Sequence, residues 1–227
     1  MKGRRILITV SAAVFLLTTI IGMILRMKMP DAGLADVTSW EELAEVAITI
    51  RNENADRIIQ DQPLDQVEEQ IFTDLQKADL IVLVEVMDEL SLTGSAIGQK
   101  VMVIDVVKGK LAEGEEFEFF TSNHISIENG EVFYLEWYNY IIPGQKYLVF
   151  LQENELNDYH QQKSFQTMEV SFGFPAYYPV EYDPEQNDVM RNQSYRDNMG
   201  RLLFTDNQTI VHIYGTIQNM VLNQCIR

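Results

Sequence analysis

The chain has 227 residues, and its 17 Lys and Arg against 34 Asp and Glu give a formal charge of −17. This length accommodates one domain and a membrane segment, and an apolar and aromatic content of 46% is typical of a chain that folds. The acidity argues against a nucleic-acid partner, because phosphate binding needs clustered Lys and Arg, and the single cysteine excludes a disulfide framework.

The first predicted element is a transmembrane helix over Ile6 to Leu25, a run of 20 residues without a charge. A helix of that length spans roughly 30 Å, the thickness of a bilayer's hydrocarbon core, so the lipid bilayer is the predicted partner. Residues 1–5 then form a cytoplasmic tail and residues 26–39 a polar stalk. A cleaved signal peptide is the alternative. It is disfavoured because Arg26 and Lys28 lie where cleavage would occur.

The charge distribution indicates the orientation of this anchor. Residues after Lys28 carry 12 Lys and Arg and all 34 acids, a net charge of 12 − 34 = −22. Lys2, Arg4 and Arg5 precede the apolar run, and positive residues favour the cytoplasmic side of a membrane. We therefore expect a single-pass protein of the cell membrane with a cytoplasmic N-terminus and an extracellular C-terminal domain.

Residues 40–77 are predicted to be helical. Ser39 to Glu42 has the spacing of a capping box, and apolar residues recur every three or four positions from Trp40 to Ile50. A second helix start lies at Pro63, and that helix is expected to end near Lys77.

From residue 78 to residue 227 the pattern indicates a β domain. Apolar, β-branched and alternating runs separated by turn residues predict five strands, at 80–86, 101–107, 115–121, 132–140 and 145–152. Their spacing favours a compact antiparallel barrel or sandwich. Residues 153–201 are predicted to form a long excursion, residues 202–214 a final hairpin, and residues 216–225 a short helix. The predicted fold class is α+β, mainly β.

Three segments carry a resemblance to a known group of proteins, namely QKADLIVLVEV (76–86), VMVIDVVKGKLAEGEEFEFF (101–120) and PGQKYLVFL (143–151). They resemble uncharacterised, membrane-anchored surface proteins of Gram-positive bacteria whose domain is an OB-like barrel, similar to the netrin/TIMP-type module. The resemblance implies a five-stranded OB-like β-barrel with a helix packed against it and an extracellular location. It implies no catalytic residue.

The sequence contains no recognisable catalytic or metal-binding motif, and we predict neither a cofactor nor a metal site. His212 lies in an apolar run and is interpreted as a strand residue, and Cys225 as a small packed hydrophobe. The acid-rich segments 52–56 and 183–188 lack the spacing of a calcium loop, so they are interpreted as solvated loops.

Aromatic residues supply the candidate binding site. They crowd the predicted strand 133–140 and the loop at 172–182. Alternate residues of a strand face opposite sides, so one set in the strand is expected to be core and the other exposed. An exposed aromatic row on a barrel can bind a sugar ring or a partner surface. The candidate residues are Tyr134, Trp137, Tyr138, Tyr177 and Tyr178.

These observations predict a membrane-anchored extracytoplasmic binding module without catalytic activity, whose ligand is a cell-surface protein or a glycan. Such a module would expose Trp137 or one face of the strand 133–140. The alternative is a cell-envelope hydrolase with paired carboxylates, which requires two acids or a His–acid pair in a concave site. A protease-inhibitor-like module is a further alternative. TIMP-type inhibition uses a free N-terminal cysteine on the metal of the protease, whereas the single cysteine of this chain is Cys225.

Overall fold

The computed structural model of the protein describes Leu34 and residues 37–51, 62–93, 95–154, 164–181 and 193–226. The predicted anchor at 6–25 lies outside these ranges, as do the cytoplasmic tail, most of the stalk and both acid-rich segments. None of the helices within the described ranges is long and apolar enough to cross a membrane.

The described ranges contain four α-helices and nine strands, so the protein is α+β and mainly β, as predicted. The helices are α1 (Trp40–Glu45), α2 (Leu64–Leu75), α3 (Tyr195–Asn198) and α4 (Gln208–Cys225). The strands are β1 (Ile48–Ile50), β2 (Leu80–Leu92), β3 (Ala96–Lys108), β4 (Glu116–Ser122), β5 (Ile125–Glu128), β6 (Glu131–Tyr134), β7 (Lys146–Asn154), β8 (Ser164–Thr167) and β9 (Tyr177–Pro179).

Five of these strands close into a barrel. The neighbours run β2, β3, β4, β8 and β7, and β7 pairs with β2 to complete the ring. Closure is possible because β2 is long enough to pair with β3 on one side and with β7 on the other. All pairs are antiparallel except β4 and β8, which run parallel through Phe119 opposite Phe165 and Phe120 opposite Gln166.

The two long helices cover the barrel and complete its core. The buried face of α2 consists of Val67, Ile71 and Leu75 at helical spacing, with Asp74 beside them. Helix α4 begins at Asn207, whose side-chain oxygen accepts hydrogen bonds from two backbone N–H groups of the first turn. The buried face of α4 then recurs every three or four residues, through Ile210, Ile213, Tyr214, Ile217 and Val221.

Five barrel strands were predicted and five are present, but one of the predicted strands does not belong to the barrel. The predicted strand 132–140 ends as a strand at Tyr134, and β6 belongs to a separate three-stranded sheet in the order β1, β6, β5. The fifth barrel strand is instead β8, which lies within the segment predicted as an excursion. Its sequence, SFQT, is short and has a single apolar residue, so it shows no strand pattern of its own.

Two further predictions are wrong in detail. The first helix stops at Glu45, and Ile48–Ile50 forms strand β1, because this β-branched segment pairs in parallel with β6. The hairpin predicted at 202–214 is wrong, because the chain is helical from Gln208 onwards, and the helix predicted at 216–225 is the second half of the longer helix α4. His212 consequently lies on a helix rather than in a strand, and it is exposed, with Nε2 at 4.0 Å from Glu68 Oε1.

Candidate binding cleft

The aromatic candidates from the sequence are mostly core residues. Four of them, Tyr134, Trp137, Tyr177 and Tyr178, are at most 1% exposed, and only Tyr138 is half-buried. The expected exposure of Trp137 or of one face of the strand is therefore wrong. The reason is that residues 135–142 leave the sheet after β6, and residues 193–205 cover them.

Asn139 organises this covered region through a buried hydrogen-bond network. Its side-chain nitrogen donates to the carbonyl oxygens of Met199 at 2.7 Å and Arg201 at 2.9 Å. Its side-chain oxygen accepts from the hydroxyl of Tyr195 at 2.8 Å and from the backbone N–H of Tyr140 at 2.9 Å. Asn139 is 1% exposed, so these bonds replace the water that the amide would otherwise bind.

His124 lies in an aromatic cage next to this network. Its ring stacks on Tyr140 with centroids 5.1 Å apart, and the rings of Tyr134 and Tyr138 contact it edge-on. Burial lowers the pKa of His124 to about 4, because the charged form would lose its hydration. Its Nε2 is buried and has no hydrogen-bond partner among the described residues. The imidazole is thus held neutral in an apolar environment.

A cleft of about 300 Å³ opens beside this aromatic region, at the carboxyl ends of the parallel strands β4 and β8. Two of the predicted site residues, Tyr138 and Tyr177, line it, and Tyr134, Trp137 and Tyr178 do not. The lining residues are Thr121, Ser122, Tyr138, Thr167, Met168, Glu169, Val170, Gly173, Phe174, Pro175, Ala176 and Tyr177. The volume is at the lower end of small-molecule sites in proteins.

The polar groups of the cleft are hydroxyls and one carboxylate. Thr167 donates a hydrogen bond to the Thr121 hydroxyl at 3.3 Å, which joins the ends of β8 and β4. Ser122 adds a third hydroxyl, and Glu169 supplies the carboxylate. Within the described part of the chain, this carboxylate has no hydrogen-bond or ion-pair partner. The lining residues that the structure describes include no Lys, Arg or His.

A strained turn at Ser171–Gly173 borders the cleft, and Gly173 is part of the lining. Phe172 has a φ of 61° and Gly173 a φ of 65°, so two successive residues adopt the left-handed conformation. For a phenylalanine this conformation costs energy, and it persists only where the surroundings enforce it. Such strain is frequent at binding sites because it holds a wall in one shape.

Asp74 of helix α2 holds this turn in place. Its Oδ2 accepts hydrogen bonds from the Ser171 hydroxyl at 2.5 Å and the Ser171 backbone N–H at 3.1 Å. Its Oδ1 accepts from Lys77 at 2.7 Å and from Gln70 at 3.1 Å. Burial by itself would raise the pKa of Asp74. The bonds from Lys77 and Ser171 outweigh that effect, and the pKa lies below its usual value.

Removal of this carboxylate is expected to loosen the cleft wall. Asp74→Ala should lower the free energy of unfolding by about 2–3 kcal/mol, because Ser171 loses two bonds to a charged acceptor. Urea denaturation measures the loss, and the methyl NMR signal of Met168 in the cleft should shift as well. Asp88→Ala, at an exposed position of β2, is the control and should change the stability by less than about 0.5 kcal/mol. Equal losses in the two variants would contradict the role assigned to Asp74.

The described residues that line the cleft offer groups that can bind a polar ligand. Among them Glu169 is the single acid, whereas glycoside hydrolysis uses two carboxylates. A histidine or cysteine that could serve as base or nucleophile is likewise absent from this described lining. Among the described residues, no group of three or more His, Cys, Asp and Glu could hold a metal ion. Hydroxyls, a carboxylate and aromatic rings can hold a polar ligand by hydrogen bonds and ring contacts.

The polar residues of the cleft were missed in the sequence. Thr121, Ser122, Thr167 and Glu169 are isolated polar residues without a motif, and Thr167 belongs to strand β8, which was not predicted. They meet only because β4 and β8 pair in parallel, which is a long-range contact with no local signature. Comparison of the sequence with protein-family models and with curated proteins found no match.

Proposed function

We propose that the protein is a membrane-anchored extracytoplasmic binding module without catalytic activity. The uncharged run Ile6 to Leu25 supports the anchor, and the charge of −22 after Lys28 is consistent with a domain outside the cytoplasm. In this proposal the chain is related to the surface proteins of Gram-positive bacteria that it resembles. Its partners are the lipid bilayer and a ligand of the cell surface.

The strand order supports an OB-like assignment of the barrel. Strands β2, β3 and β4 are consecutive antiparallel neighbours, and β7 returns to lie beside β2, which is the Greek-key arrangement. An OB fold is a five-stranded Greek-key barrel that binds extended ligands on its surface and loops. The helices α2 and α4 packed on this barrel agree with the helix that the resemblance implies.

The observation that carries the binding function is the composition of the cleft. It gathers the hydroxyls of two threonines and a serine, a carboxylate that no described residue pairs with, and an aromatic wall, beside a turn that is held by the bond from Ser171 to Asp74. A rigid wall favours binding because less conformational freedom is lost when the ligand arrives. The alternative, a hydrolase with paired carboxylates, receives no support from this cleft, since Glu169 is the single acid among the described residues of its lining. No feature of the described residues favours the protease-inhibitor alternative.

The proposal is tested by binding to cell-envelope material. Full-length protein in detergent is mixed with insoluble cell walls, and both the pelleted protein and any released soluble fragments are measured. We expect pelleting without release, and weaker pelleting for Thr167→Val, which removes one cleft hydroxyl. Thr73→Val, at an exposed position of α2, is the matched control and should bind like the wild type.

Two results would contradict the proposal. Release of soluble fragments by the wild type would show an enzyme rather than a binding module. Pelleting that is absent, or equal for Thr167→Val and the wild type, would remove the cleft from the function. The location is tested separately by protease treatment of intact cells, which should remove the domain. A domain that is cleaved only after lysis would contradict the extracytoplasmic assignment.

A further inference from the structure

The cleft carries a charge of one sign. Glu169 is the single acid among the described residues that line it, it is exposed to solvent, and no described residue neutralises it. Because this described lining has no Lys, Arg or His, it offers an anionic ligand no positive charge, and Glu169 would repel that ligand. The complementary ligand is therefore neutral or positively charged.

The hydroxyl groups add acceptors in the same cleft as this carboxylate. Thr167 uses its proton in the bond to Thr121, and no described residue donates to its lone pairs. Ser122 follows Thr121 directly at the end of β4. An ammonium group presents three N–H donors and no acceptor, so it matches a cleft that offers a carboxylate and hydroxyl oxygens.

The aromatic wall favours the same kind of ligand. Tyr138 is half-buried and contributes the accessible ring, while Phe174 and Tyr177 form the buried part of the wall. The face of an aromatic ring is electron-rich and attracts cations. The flat apolar face of a sugar ring also packs on an aromatic side chain, and the volume of about 300 Å³ suits a single ring better than an extended chain.

We propose that the cleft binds an amino sugar, with its protonated amine at Glu169, its ring on Tyr138 and its hydroxyls at Thr121, Ser122 and Thr167. This inference rests on the proposed binding function and specifies its ligand. A neutral sugar satisfies the hydroxyls but leaves Glu169 unpaired. A lysine side chain satisfies Glu169 but supplies no hydroxyls for the threonine and serine oxygens.

The test uses the full-length protein in detergent, labelled with ¹³C in the methionine methyl groups. Met168 lines the cleft, and Met168→Leu identifies its signal by removing it. Three probes are titrated at mildly acidic pH, namely glucosamine, glucose and the amide of Nα-acetyl-lysine. We expect glucosamine to shift the Met168 signal with a dissociation constant at least about tenfold below that of either other probe.

The variant Glu169→Gln is expected to weaken glucosamine binding about tenfold and to leave glucose binding unchanged. Glu131→Gln, at an exposed acid of β6 outside the cleft, is the matched control and should bind like the wild type. Equal affinity for glucose and glucosamine would overturn the role of the amine. Tighter binding of the lysine amide would overturn the sugar.

A Met168 signal that none of the three probes shifts would also overturn the inference. The pelleting assay then separates the two levels of the proposal. If the protein still binds cell walls through Thr167, the binding function stands and the ligand class is wrong. If pelleting fails as well, the function itself is wrong.

Discussion

Asn139→Ala is expected to cause the largest loss of stability of any single polar substitution proposed for this protein, about 3–5 kcal/mol. The variant removes the side-chain nitrogen that donates to the Met199 and Arg201 carbonyls. It also removes the oxygen that accepts from the Tyr195 hydroxyl and the Tyr140 N–H. Each buried polar group without a partner costs about 1–3 kcal/mol. Chemical denaturation of the full-length protein, followed by circular dichroism, measures the change.

Asn198→Ala is the matched control for this substitution. Asn198 is also buried, but its side chain donates a single hydrogen bond, to the carbonyl oxygen of Ser194 at 2.8 Å. We expect a loss of about 1 kcal/mol for the control. If Asn139→Ala were no more destabilising than Asn198→Ala, the network around Asn139 would not be what holds residues 193–205 against the barrel.

His124 is expected to make the fold sensitive to acid. Its pKa is about 4 in the folded protein and near 6.5 in an unfolded chain, so the unfolded state takes up a proton first as the pH falls. The stability is therefore complete above about pH 6.5 and declines between that pH and about pH 4, by about 3 kcal/mol from this residue. Below about pH 4 both states hold the proton, and His124 causes no further decline.

The variant His124→Phe separates this contribution from that of the acidic residues. It keeps an aromatic ring against Tyr140 but does not titrate, so the decline from neutral pH to pH ~4 should shrink by about 3 kcal/mol. Denaturation curves at several pH values measure this difference. His212→Gln removes an exposed histidine of α4 and should keep the wild-type decline. An unchanged decline in His124→Phe would contradict the buried neutral state of His124.

The parts of the fold that the sequence predicts are those with a strong local pattern. Strands β2, β3, β4 and β7 and helix α2 lie where apolar runs or helical spacing indicated them. Strand β8 could not be predicted, because its four residues acquire their conformation from pairing with β7 and β4. The first part of helix α4 was predicted as a strand of a hairpin because Ile210, Val211 and Ile213 favour strands, although their neighbours repeat at helical spacing.

The candidate site was predictable only in its aromatic component. Tyr138 and Tyr177 were predicted as site residues because aromatic residues crowd two short segments. Their companions Trp137 and Tyr178 are core residues, and a crowded segment does not show which rings another part of the chain covers. The hydroxyls of Thr121 and Thr167 are 46 positions apart and meet through one parallel pairing. The positions of these two residues in the sequence do not indicate that contact.

The joint between β4 and β8 has a consequence for how the molecule opens. Only two residue pairs connect these strands, whereas β2 and β3 share nine, so the ring is weakest where the cleft lies. Local unfolding starts where the fewest bonds must break. Among the strand pairings of the barrel, the pairing of β4 with β8 should therefore show the fastest amide hydrogen exchange. A molecule that bridges Thr121 and Thr167 would hold β4 and β8 together at this joint. Binding of such a molecule in the cleft would therefore lengthen the lifetime of the closed ring.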